Sequence, residues 1–305
     1  MTILSISAAP YDGHPLEVTL ESLASCGATH VEPAFIVGYT EPFDENVFLP
    51  NKARTYKAQL DASGLHCHAF SSHIDLGRED AIEVFTRRMD FAAYLGAKII
   101  NTNAARHDCE TRFLHNIGLL AAHAATLGLT IGLENPGNGE DNLMNDAAEG
   151  LALIARLALP SVRLNYDPGN TASHRPGQID ATKDAIAALP ACAHFHLKDV
   201  RHTQEGWHFT VPGQGDLDCP PILAALQAAN LPYAIELPLR MRRLPNAQPI
   251  RALTPIPLPA IEAAIKACLA YASPFPSETG RGWVDASGPQ NQPGPHTLTP
   301  ALPAS

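Results

Sequence analysis

Two kinds of stretch alternate along most of the chain. One is rich in Ala and Leu and repeats its apolar positions with the period of a helix face; the other is a short apolar run that ends in a polar residue, as a buried strand does. Small turns join them. Cys26-Gly27-Ala28 leads into THVEPAF, Ser63-Gly64-Leu65 into HCHAF, Leu95-Gly96-Ala97 into KIINTN and Leu127-Gly128-Leu129 into TIGLEN. Glycine suits these places because a helix commonly ends on a left-handed residue. Later helices stop at proline instead: Leu159-Pro160, Leu189-Pro190 and Leu231-Pro232.

The pattern predicts eight strands, near 3–8, 29–35, 65–71, 97–102, 130–135, 162–167, 192–198 and 232–237. Helices fall between them near 15–26, 51–63, 79–95, 111–127, 145–158, 180–189 and 219–229, with a last one near 258–272. Strict β/α alternation implies a parallel sheet, and eight units close a (β/α)₈ barrel, an α/β fold of one catalytic domain spanning 1–272. A doubly wound open sheet is the competitor, but Ala8-Ala9-Pro10-Tyr11-Asp12 after the first strand is no Gly-rich phosphate loop. Residues 273–305 are rich in Pro, Gly, Ser and Thr, so a disordered or loosely docked tail is expected, with Trp283 as its one docking candidate. The basic, Pro-rich segment 238–257 reads as a long excursion over the barrel rim, and Glu205–Phe209 as a hairpin.

Composition narrows the function. A formal net charge of −10 disfavours a nucleic-acid partner, which needs cations against its phosphates. No apolar run is long enough to cross a membrane, and the N-terminus lacks the shape of a secretion signal. The six cysteines stand apart without a C-x-x-C pair, as buried free thiols in a reducing, cytoplasmic setting would.

In a barrel of this kind the active site forms where the strands end. Here the fifth ends in Glu134, the sixth in Asp167, the seventh in His194, His196 and Lys198, and the eighth in Glu236. Each has an ordinary alternative: Asp167-Pro168-Gly169 as a turn, a strand histidine as a satisfied core residue, a terminal glutamate as a helix cap. Their conjunction on four successive strand ends favours chemistry. Three carboxylates side by side need a compensating cation, and oxygen ligands with one imidazole favour Mn²⁺, with Mg²⁺ or Co²⁺ as alternatives. Candidate substrate contacts are His73, on a loop after the third strand, Glu32 on the second, Asn101 with Asn103 on the fourth, and Lys198. Lys198 suits either an oxyanion or a neighbouring carboxylate, and His194 is expected to support the metal ligands. The turn Val211–Asp216 is expected to be a lid or a phosphate cradle, with a plain surface turn as the alternative.

LGLTIGLENPGN, VRLNYDPGNT, HFHLKDVR, VPGQGDLD and YAIELP resemble the sugar phosphate isomerase/epimerase family of xylose-isomerase-like TIM barrels, over about residues 1–272. The resemblance implies that Glu134, Asp167, His196 and Glu236 bind one divalent metal. It departs at Asn170, itself a candidate substrate contact, where many members carry a substrate-contacting histidine. The Lys198-Asp199 pair is shared with inosose-dehydratase-like members and often lacking in epimerases of free ketoses. The expected activity is isomerisation or epimerisation of a small sugar-like keto or polyol substrate. Glu134 and Glu236 would move a proton beside a carbonyl. A lyase using the same enolate is the alternative. A phosphodiesterase or a non-catalytic sugar-binding role fits the charge and ligand set less well, and a homo-oligomer is left open.

Overall fold

Polar residues close each strand because they meet partners at one end of a barrel. In the computed structural model, which describes residues 2–273, the first seven strands are β1 (Leu4–Ser7), β2 (Val31–Glu32), β3 (Ala69–Asp75), β4 (Ile99–Asn103), β5 (Thr130–Glu134), β6 (Val162–Tyr166) and β7 (Cys192–Leu197). A hairpin, β8 (Asp199–Thr203) and β9 (Gly206–Thr210), precedes the eighth barrel strand, β10 (Tyr233–Ile235). All eight barrel strands are parallel, in the order β2-β1-β10-β7-β6-β5-β4-β3. Bridges His30–His66 and Ala34–Ser71 join the two ends of that order.

The outer helices lie where the apolar periodicity places them: α1 (Leu16–Ser25), α2 (Pro50–Ser63), α3 (Ala81–Leu95), α4 (Glu110–Leu127) and α5 (Ala147–Leu157). The later ones are α6 (Pro168–His174), a short helix the periodicity does not predict, then α7 (Ala181–Ala188), α8 (Cys219–Ala228) and α9 (Leu258–Ala272). They bury leucine, isoleucine and phenylalanine against the strands in one continuous core. Gly96 ends α3 at φ +100°, a conformation that costs side chains with a Cβ dearly. No helix among the described residues is long and apolar enough to cross a membrane. The expectations for the tail and Trp283 lie outside the described residues.

Three local differences from the sequence pattern bear on the site. The third strand runs over Ala69–Asp75 rather than 65–71, so His73 is a strand residue and not a loop residue. Its polar run is tolerated inside because Ser71 donates to Glu32, Ser72 accepts from Arg88 and His73 meets Glu134. The β3–β4 register also breaks between Ser71 and Asp75, the irregularity that re-aims side chains near sites. Asp167-Pro168-Gly169 is no mere turn: Asp167 caps α6, accepting the Asn170 N–H at 3.0 Å, with Pro168 at the first helical position. Finally, the excursion after β10 is not loop throughout. It contributes β11 (Met241–Arg243) and β12 (Pro249–Arg251) to a four-stranded antiparallel sheet, β12-β11-β9-β8.

Candidate metal centre and active site

The barrel axis beneath the site is polar. Asn101 pairs in register with Gly132, and Glu134 with Asn165. A Cβ on Gly132 would come within 2.4 Å of Asn101 Oδ1 and 3.1 Å of Asn165 Cβ, so the glycine makes room for both amides. On β7 the alternation of side chains points His194 and His196 the same way, and both reach Glu32.

Above this layer, one atom from each of Glu134, Asp167, His196 and Glu236 lies within 4.8 Å of the other three, and all four residues are buried. The two faces of the His196 ring differ. Nδ1 lies 3.0 Å from Glu134 Oε2 and 3.6 Å from Glu236 Oε2, whereas Nε2 lies 2.7 Å from Glu32 Oε1. Glu134 Oε2 also receives His73 Nε2 at 2.8 Å and the Asn165 amide at 2.7 Å, and Oε1 accepts from Asn170 at 3.0 Å. Lys198 Nζ sits 2.6 Å from Asp167 Oδ2 and in contact with Glu236 Oε2. Neither of those oxygens has an aligned hydrogen bond; Asp167 Oδ2 faces the ammonium, and Glu236 Oε2 faces it and, at 3.6 Å, the His196 ring. Hard oxygens short of partners, grouped with one imidazole, form a donor set that fits a divalent cation.

Burial and charge pull these groups apart in pKa. Burial would raise Glu134, yet the His196 and His73 imidazoles hold it well below the usual carboxylate range. Glu32 is likewise held well below, with His196 and His194 outweighing its burial. Asp167 is pushed up to about 6 by burial, which Lys198 only partly offsets, with Glu134 and Glu236 adding to the rise. Burial works against a charged His196, but Glu134, Glu32 and Glu236 together raise it well above the ordinary imidazole value. Lys198 is raised by Asp167 and Glu236 despite its burial.

A cavity of about 160 Å³ opens above the cluster, small beside the roughly 300–1,000 Å³ of drug-sized sites and suited to one small substrate. Of the four candidate ligands, Glu134 and Glu236 line it, while Asp167 and His196 lie beneath. His73, Asn103, Asn170 and Lys198 line it too. Glu32 and Asn101 do not. Glu32 is fully buried and bonded to both β7 histidines, and Asn101 donates to Glu32 at 3.3 Å. Glu32 and Asn101, expected as substrate contacts, thus lie under the candidate ligands and away from the cavity, with Glu32 bonded to His196 at Nε2.

Two residues escaped the sequence reading. Asn165 was legible in principle, since alternation along RLNYD puts it on the side of Asp167. Arg243 was not, because its place depends on β11 joining β9, where it pairs in register with Trp207. The Gly-rich turn also resolves differently. The Asp199 carboxylate accepts the N–H groups of Gly213, Gly215 and Leu217 at 2.9, 2.8 and 3.2 Å. A Cβ on Gly215 would meet Asp199 Oδ1 at 2.2 Å. With those N–H groups used internally, the turn is a clamp on β8 and not a phosphate cradle.

An eight-stranded parallel barrel with a carboxylate–imidazole cluster under a small cavity defines a class of barrel proteins. The family model described as xylose isomerase-like TIM barrel matches residues 20–254, and the chain belongs to that family. Among solved structures, a D-psicose 3-epimerase of Clostridium cellulolyticum H10, determined with D-tagatose, is similar at TM-score 0.69 and 16% identity. The match covers 89% of this chain and 98% of that one. A 3-keto-D-glucoside 4-epimerase of E. coli, in apo form, gives 0.64 and 18%, covering 89% and 99%. A probable 3-DHS dehydratase of Bacillus anthracis, involved in petrobactin synthesis, gives 0.65 and 13%, covering 88% and 98%. At these identities the likeness is one of fold. No curated protein matches the sequence significantly.

Proposed function

We propose that the protein is a metal-dependent isomerase or epimerase of a small sugar or sugar-derived keto substrate, acting by proton transfer next to a carbonyl. The observation that carries this is the division of the cluster: Glu134 and Glu236 face the cavity, while Asp167 and His196 sit below it. Glu134, Asp167, His196 and Glu236 would hold one divalent cation, Mn²⁺ by preference, which when bound stabilises negative charge on a substrate oxygen. Glu236 is the better first proton acceptor. Its Oε2 meets Lys198 and His196, and its Oε1 makes no hydrogen bond among the described residues. Glu134 has both oxygens engaged, by His73, Asn165 and Asn170, which fixes its position. As the second member of the pair it would take up a proton from solvent through the cavity it lines and deliver that proton to the substrate, while Glu236 gives its own to solvent. The like structures of two sugar epimerases support the reading at the level of fold.

Elimination is the second reading, favoured by Lys198. Its ammonium lines the cavity and touches Glu236, so it can protonate a departing hydroxyl once the α-proton is lost. A screen of ketoses, keto-inositols and sugar acids with Mn²⁺, read by mass spectrometry and NMR, separates the two. Isomerisation conserves mass and elimination removes a water. Glu236→Gln keeps shape and one coordinating oxygen but cannot accept a proton, so turnover should be nearly lost at saturating Mn²⁺. A Glu236→Gln protein of wild-type activity would refute the assignment.

A further inference from the structure

Arginine is costly to bury without an anion, because its guanidinium does not lose its proton in a protein. Three arginines are buried among the described residues: Arg88, Arg240 and Arg243. Arg88 pairs with Glu45, and Arg240 lies 3.0 Å from Asp12 and 2.9 Å from Glu41. Arg243, only 1% exposed, has no carboxylate within 4.0 Å among the described residues. Its guanidinium donates to the carbonyls of Pro136 (2.9 Å) and Gly137 and to Asn170 Oδ1 (2.8 Å), and its Nε has no partner. The group lies 5.6 Å from the centre of the Tyr39 ring, and Tyr39, Pro136, Asn170 and Arg243 all line the cavity.

Charge in the cavity is otherwise balanced. Asp12, which also lines it, is matched by Arg240 and Arg251. Glu134, Asp167 and Glu236 would be matched by Lys198 and a divalent cation. That leaves Arg243 as the cavity-lining cation with no carboxylate of its own, held in place by a strand paired on both edges. Asn170 turns its amide oxygen to Arg243 and Lys198 and its nitrogen to Glu134, so the residue that departs from the family's histidine joins this cation to the candidate proton carrier.

We propose that the substrate carries a carboxylate and that Arg243 binds it, making the substrate a keto acid derived from a sugar or polyol rather than a neutral sugar. A single carboxylate balances the one charge of Arg243, and it would take guanidinium hydrogens not given to Pro136, Gly137 and Asn170. A phosphate dianion would want more, and the Gly-rich turn, whose N–H groups are taken by Asp199, does not line the cavity. The proposal rests on the reading of the cavity as a sugar-type active site.

The test is binding by the full-length protein, loaded with Mn²⁺ and measured by calorimetry. Matched series of keto sugar acids, their neutral amides, the parent ketoses and the sugar phosphates are titrated, with turnover of each followed separately. The expected result is a sugar acid that binds the wild type about 100-fold more tightly than its amide. In Arg243→Met that preference collapses towards unity, and Arg243→Lys keeps about a tenth of it. The acid-to-amide ratio in wild type needs no variant, so misfolding of Arg243→Met leaves the test intact. Ketoses bound or turned over as well as the acids, or phosphates bound in their place, would overturn the proposal while leaving the proposed function standing. Acid binding that depends on Arg243 without turnover of any compound would support the proposal and count against the proposed function.

Discussion

Loading the site with metal should expel protons, in a number that depends on pH. In the metal-free protein both His196 ring nitrogens face carboxylate oxygens, Nδ1 at 3.0 Å and Nε2 at 2.7 Å, so both carry hydrogen and the ring is cationic at neutral pH. A metal taken at Nδ1 must displace that proton, while Nε2–H remains on Glu32. Asp167 titrates at about 6, so below that pH a second proton leaves with it. The sign follows: both pKa values are raised in the metal-free site, so protons compete with the cation and affinity climbs with pH until His196 deprotonates by itself. The expected slope is about tenfold in affinity, or ~1.4 kcal/mol, per pH unit above pH 6, and about a hundredfold, or ~2.7 kcal/mol, per pH unit below it. Calorimetric titration with Mn²⁺ in buffers of different ionisation enthalpy counts the protons directly. It should give about one near pH 7 and about two near pH 5. An affinity flat in pH with no proton release would refute the assignment of His196 as a ligand through Nδ1.

Other perturbations test the supporting structure. Asp199→Asn sets an amide against the N–H groups it now binds and should cost about 3–5 kcal/mol, lowering the melting midpoint by roughly 6–20 °C. A loss below about 1 kcal/mol would show the clamp to be dispensable. Lys198→Met leaves Asp167 and Glu236 without their cation, so the metal-free protein should lose about 3–5 kcal/mol of stability. Mn²⁺ should then raise its midpoint more than it raises that of wild type; an equal or smaller rise would contradict the charge balance drawn here.

Much of the barrel was legible because β/α alternation is a local signal. The helices and most strand ends follow from apolar periodicity, glycine caps and proline stops. Polar residues closing apolar runs named Glu134, Asp167, His196 and Glu236, and the structure brings these four together. Depth was not legible. Whether Glu32 and Asn101 touch substrate or lie under the ligands depends on where β2 and β4 sit against β7, a long-range matter. The same holds for Arg243, delivered by a strand whose partner is more than thirty residues away in sequence. His73 was misplaced onto a loop because serine and histidine in a row suggest solvent, when here each has a buried partner.

Proton transfer beside a carbonyl is the central claim, and solvent exchange tests it most directly. The substrate screen is run in D₂O with the Mn²⁺-loaded protein, and both recovered substrate and product are examined by mass spectrometry and NMR. The account predicts one deuterium at the carbon next to the carbonyl, appearing no later than product and lost in Glu236→Gln. Turnover with full retention of an α-deuterium label and no exchange with solvent would indicate hydride transfer. Glu134 and Glu236 would then be metal ligands alone.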